Sequence, residues 1–134
     1  MAAVKVIIKQ KGVSSSEAEA RGHSLVMDRP EAKGGENCGM MGGEALLSGL
    51  GGCFMSNLLA AAVARGVELK DAEAEIYAEV ADAPPRFSAI SMKVSAAYPA
   101  GTEFEKLLVL AERGCIAANT LKKAVDLKIL SGES

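Results

Sequence analysis

Glu44-Ala-Leu-Leu-Ser-Gly-Leu-Gly-Gly-Cys53-Phe-Met-Ser-Asn-Leu-Leu-Ala-Ala-Ala-Val-Ala64 is the stretch on which the fold turns. Wound at 3.6 residues per turn, Leu46, Leu50, Cys53 and Asn57 fall on one stripe, with Leu47, Phe54 and Leu58 beside it, which predicts a single helix. Gly49, Gly51 and Gly52 lie inside it, and each disfavours a helix interior by about 1 kcal/mol relative to Ala. Close approach of another helix backbone, including one from a second subunit, would offset that. Gly66 is placed to cap the C-terminus.

On the C-terminal side, Ala72, Ala74, Ile76, Ala78 and Val80 alternate with Glu73, Glu75, Tyr77 and Glu79, which predicts a half-exposed strand with an acidic outer face. Pro84-Pro85 breaks it. Ile90, Met92, Val94, Ala96 and Tyr98 then alternate with Ala89, Ser91, Lys93, Ser95 and Ala97, so the two strands should pair as an antiparallel hairpin. Thr102-Glu-Phe-Glu105 has the form of a capping box, opening a helix with Phe104, Leu107, Leu108 and Ala111 on one face. Gly114 can end that helix, residues 115–123 read as a short further helix, and residues 125–130 as a last strand. On the N-terminal side, Val4, Val6 and Ile8 predict a short strand. The segment 14–21 is ambiguous between helix and strand and is read as strand at its end. Arg21-Gly22-His23 forms a turn into a strand over 24–28. Residues 29–43, with Pro30 and five glycines, predict a long loop. The order is α+β in one domain, 1–134, with antiparallel sheets and one long helix.

Composition narrows the function. The chain has 134 residues, with hydrophobic residues at 49% and charged residues at 24%, which fits a folded protein rather than a disordered one. Trp is absent and aromatics make up 4%, so the core must be aliphatic. A net charge of −2 argues against a nucleic-acid partner, which needs a basic surface. No apolar run reaches membrane-spanning length and the N-terminus is too weakly apolar for a signal peptide, so the expected setting is cytoplasmic, with no membrane partner.

Three cysteines, Cys38, Cys53 and Cys115, stand beside one histidine, His23. An odd count without an export signal does not suggest a disulfide framework, and no two cysteines have zinc-ligand spacing. No metal or other cofactor is expected. What remains is inert or redox-active thiols. Cys53 on an apolar stripe can be a small core hydrophobe. Cys115 sits after Gly114 at a helix start, where free backbone N–H groups favour a thiolate. Cys38 falls in the glycine-rich loop and reads as exposed and incidental. His23 reads as an exposed turn residue, and the row Glu73, Glu75, Glu79 as a solvated strand face.

Asp28-Arg-Pro30, then Gly34-Gly35, Gly39, and Glu44 through Gly52-Cys53-Phe54, followed 62 residues after Cys53 by Cys115-Ile-Ala-Ala-Asn-Thr-Leu121, resemble the signatures of the OsmC/Ohr family of osmotically induced and organic hydroperoxide resistance proteins. The nine-residue interval from Glu44 to Cys53 is similar to that of the OsmC-like branch. The resemblance implies an intertwined homodimer in which antiparallel sheets wrap central helices, with sites at the subunit interface. It also implies a thiol peroxidase in which Cys53 is the peroxidatic cysteine, Cys115 the resolving one and Glu44 a catalytic carboxylate. The implied partners are an organic hydroperoxide and an external dithiol reductant.

Glu44 can equally be a helix-start carboxylate that complements the dipole. Nine helical residues turn about 900°, so on one straight helix Glu44 faces away from Cys53. The hydroperoxide branch activates its cysteine with an early-strand arginine. Lys9 and Lys11 occupy that region here, with Arg21 and Arg29 the nearest arginines. This departure motivates an alternative: a non-enzymatic dimer of the same fold that binds an apolar small molecule.

Overall fold

The computed structural model describes residues 2–123 and 127–128. The strand expected over 125–130 lies largely outside the described residues. The chain divides into two compact units, Met1–Ser48 and Gly49–Ser134.

The first unit is an antiparallel three-stranded sheet, β1 (Ile7–Gln10), β2 (Ser16–Ala20) and β3 (His23–Met27), in the order β1-β2-β3. The ambiguous segment is thus a strand, and Arg21-Gly22 makes the turn, both residues at positive φ. β1 starts at Ile7, three residues after the apolar alternation does, where its pairing with β2 begins opposite Glu19. The long loop is more ordered than its composition predicts. It contains a 3-10 turn, Glu31–Lys33, and returns to the sheet through a bridge between Met27 and Met40. A Cβ on Gly35 would stand 2.0 Å from the Arg29 carbonyl oxygen, and one on Gly39 2.2 Å from that of Val26, so only glycine allows these backbones to pass.

The long helix, α1 (Gly42–Ala64), runs through the division between the units and ends at Gly66 with φ +66°. By length and apolar composition it would suffice to cross a membrane. Its line Leu50, Phe54, Leu58 and Ala62 is buried in the core, while most of the helix surface is uncovered in the single chain.

In the second unit, β4 (Lys70–Ala81) and β5 (Arg86–Ala97) form the expected hairpin. Ala74, Ile76 and Ala78 face Val94, Met92 and Ile90 across the ladder, and Glu75 pairs with Lys93 on the outer face, where opposite charges are favourable. The Arg86 guanidinium closes the turn by donating to the carbonyls of Asp82 and Pro84. α2 (Phe104–Arg113) and α3 (Ile116–Leu121) follow. The capping box does not form. The cap residue of α2 is Glu103, with no side-chain bond, and Phe104 is anchored instead by stacking on Tyr98, with ring centroids 4.7 Å apart. Packing on an apolar face has taken the place of the polar cap.

Leu58 and Leu107 are the largest residues buried completely, at the centre of the α1–α2 contact. Burying each is worth about 1.5–3 kcal/mol. Of the helix glycines, Gly51 is approached closely, by the Ile76 side chain of β4 rather than by another helix, while Gly49 and Gly52 meet nothing within 4 Å in the single chain.

Candidate functional site

α1 presents Cys53 one residue before buried Phe54, and leaves it half-buried. Cys115 is reached by another route. α2 ends at Gly114, and Cys115, with φ −83° and ψ 108°, becomes the cap residue of α3. Its sulfur accepts the Ala118 N–H at 3.4 Å, and its side chain is fully buried. The fold thereby brings together two thiols that are 62 residues apart in sequence, both free.

The thiols have opposite tendencies. Cys53 is lowered from the ordinary 9.0, first by the Ala117 N–H, then by the Cys115 thiol and the Ile116 N–H, which together outweigh the upward push of burial. Cys115 is raised, first by its own burial and then by the neighbouring Cys53 charge, against the lowering effect of the Ala118 N–H. The first turn of α3 lowers both thiols, Cys53 through Ala117 and Ile116 and Cys115 through Ala118 and Ala117, and only at Cys115 do burial and the neighbouring thiol outweigh it. Cys53 suits a nucleophile, being accessible and inclined to ionise, and Cys115 suits a protonated donor beside it. Among the described residues, no cation contributes to lowering Cys53.

Glu44 lies in the first turn of α1, exposed, and its carboxylate accepts the Met41 N–H at 2.8 Å. That bond is the end-capping role, satisfying a free donor where the dipole is positive. Cys38 is exposed, with a thiol raised by desolvation and by Asp28. His23 is exposed at the start of β3.

Two residues have roles that sequence reading missed. Asp28 is buried, and its carboxylate accepts the N–H groups of Arg29 (2.7 Å), Glu36 (3.1 Å) and Cys38 (3.2 Å), closing the loop on itself. Burial pushes this carboxyl up, but the bonds prevail and hold it at about 2. The Ser14 hydroxyl adds to the lowering, although its geometry falls short of a full hydrogen bond. Asn57, one turn after Cys53, donates through Nδ2 to the Ala111 carbonyl at the end of α2. An amide on an apolar stripe was its signal. The Ala117 and Ile116 donors carry no signal in sequence at all, being backbone.

Alongside the pair runs a mostly apolar groove of about 470 Å³. Leu50 and Phe54 line it from α1, Met92 and Val94 from β5, Leu108 from α2 and Ala118 from α3. Neither cysteine lines it directly. The Lys122 ammonium pairs with the Glu112 carboxylate at its edge.

No curated protein sequence matches the chain. Among solved structures, an OsmC-like protein from Mycoplasma pneumoniae is similar in fold, with a TM-score of 0.78 at 20% identity, covering 90% of this chain and 88% of that one. An organic hydroperoxide resistance protein OsmC from Legionella pneumophila gives 0.61 at 22% identity, covering 89% and 90%. An organic hydroperoxide resistance protein from Elizabethkingia anophelis gives 0.59 at 16%, covering 89% and 87%. The profile of the OsmC-like protein family matches residues 33–130, which span α1, the hairpin and both cysteine motifs. The chain is a member of the OsmC-like family.

Proposed function

We propose that the protein is a two-cysteine thiol peroxidase acting on organic hydroperoxides. The observation that carries this reading is the pairing of a half-buried Cys53 with a fully buried Cys115 at the start of α3, where the surroundings lower the first thiol and raise the second. The Cys53 thiolate attacks the terminal peroxide oxygen, and the O–O bond breaks. The alcohol departs with the second oxygen and a proton, leaving a sulfenic acid on Cys53. Cys115 sulfur then attacks Cys53 sulfur, water leaves and a disulfide forms. An external dithiol returns two electrons by exchange. The apolar groove favours a hydroperoxide with a hydrocarbon body. Membership of a family whose solved relatives include hydroperoxide resistance proteins supports the same reading.

On this reading the working unit is a homodimer. Gly49, Gly52, Ser56, Leu59 and Val63 form an uncovered stripe along α1, with Leu59 43% and Val63 79% exposed, and a second copy of the helix fits such a surface.

The groove also favours a second reading, binding of an apolar small molecule without turnover. Thiol titration after one equivalent of cumene hydroperoxide separates the two. Loss of two thiols per chain supports the peroxidase, and an unchanged thiol count supports the binder.

A further inference from the structure

α2 ends with four carbonyls that have no partner inside the helix. Each has a donor, and Glu112 has two, the Gly114 and Cys115 N–H groups. Gly114 N–H serves Leu110 and Cys115 N–H serves Glu112, from the chain just beyond the helix. The Asn119 amide, on α3, serves Arg113 at 3.1 Å. The fourth donor, to Ala111 at 3.4 Å, is the Asn57 amide, and it alone comes from α1. Asn57 also lies beside the turn itself: a Cβ added on Gly114 would stand 3.5 Å from its Nδ2. Asn57 is thus tied to the turn on one side and stands one helical turn from Cys53 on the other.

We propose that Asn57 is a positioning residue for the thiol pair, docking the α2–α3 turn onto α1 so that Cys115 sulfur and the Ile116 and Ala117 N–H groups reach Cys53 sulfur. It rests on the reading of Cys53 and Cys115 as a redox pair. Without the amide, Ala111 loses its donor and the turn is held to α1 by apolar contacts alone, which have no preferred direction. Small displacements matter here, since thiolate stabilisation and thiol–sulfenate attack both depend on hydrogen-bond-length distances.

The test replaces Asn57 with Leu, equal in size and lacking the amide, in a Cys38→Ser background, and uses no peroxide. The first readout is the pH profile of Cys53 alkylation by iodoacetamide, resolved by mass spectrometry. The second is the equilibrium between the Cys53–Cys115 dithiol and glutathione disulfide, in which two thiols are oxidised to one disulfide and two glutathione thiols are released. The expected result is an alkylation inflection shifted upward, toward that of an ordinary thiol, and an effective thiol concentration reduced about tenfold or more, with the circular dichroism retained. A folded Asn57→Leu whose two readouts stay within twofold of the parent overturns the proposal, as does a variant that only melts earlier. Asn57 is half-buried, and if Leu prevents folding, Asn57→Ser is judged by the same two readouts and limits. A parent protein inert to cumene hydroperoxide, with these readouts shifted in the variant, overturns the peroxidase reading and leaves the positioning role standing.

Discussion

At the residue scale, the proposed chemistry rests on the backbone N–H groups at the start of α3: Ala118 donates to the Cys115 sulfur, Ile116 lowers Cys53, and Ala117 lowers both thiols. Cys53→Ser should abolish peroxide consumption. Cys115→Ser should permit one attack and then stall, so a sulfenic-acid probe should label Cys115→Ser more strongly than the parent protein and leave Cys53→Ser unlabelled. Labelling of Cys53→Ser in place of Cys115→Ser would reverse the roles. The opposite shifts give a second expectation: below pH 9, alkylation should modify Cys53 before Cys115, with an inflection lower than that of an ordinary thiol, checked by peptide mapping across pH. Asp28 gives a third. Its carboxyl is about 2 when folded and 3.8 ordinarily, so the stability it contributes is complete above about pH 4 and is lost as pH falls toward 2. Denaturant unfolding at pH 6, 4 and 2.5 should show that loss in the parent. Asp28→Asn should be less stable at pH 6 and much flatter across the interval, and an equally steep decline in the variant would remove Asp28 as the cause. Asp28 does not announce its role in sequence, and Asn57 shows only as an amide on an apolar stripe, because hydrogen bonds to backbone atoms 8, 10 and 54 residues away leave no periodicity to read.

At the element scale, the legible parts are those with a sustained period. α1, β4 and β5 appear close to where apolar spacing places them, since 12 or more residues of alternation or helical stripe leave little ambiguity. Short elements are decided by partners instead: β1 by where its pairing with β2 begins, and the start of α2 by Tyr98 stacking on Phe104 rather than by Thr102. The helix glycines divide the same way. Gly51 is explained inside the chain by Ile76, and Gly49 and Gly52 are not. Replacing Gly52 with Ala should favour the helix by about 1 kcal/mol in an isolated chain. With a second helix packed on that stripe, the added methyl should instead raise the dimer dissociation constant, about tenfold or more. Sedimentation over a dilution series distinguishes these, and a variant dimer as tight as the parent's would place the subunit contact elsewhere.

At the scale of the whole molecule, the α+β order and the family were readable from two cysteine motifs and a strand count, and the matched span of residues 33–130 agrees with them. The division into two compact units was not readable, because α1 runs through it without a break in pattern. The cysteine pairing lay between these cases. The motifs named both residues, but the half-buried setting of one and the complete burial of the other are products of packing. The uncovered stripe on α1 has a consequence for the protein's abundance. If the proposed dimer forms on that stripe, folding is tied to mass action, so the melting temperature should climb as protein concentration rises, where a self-sufficient chain would melt at one temperature throughout. Scanning calorimetry across a hundredfold range of concentration measures that dependence directly. A cell that makes little of this protein would then hold it nearer its unfolding threshold, and rising synthesis would stabilise every molecule already present.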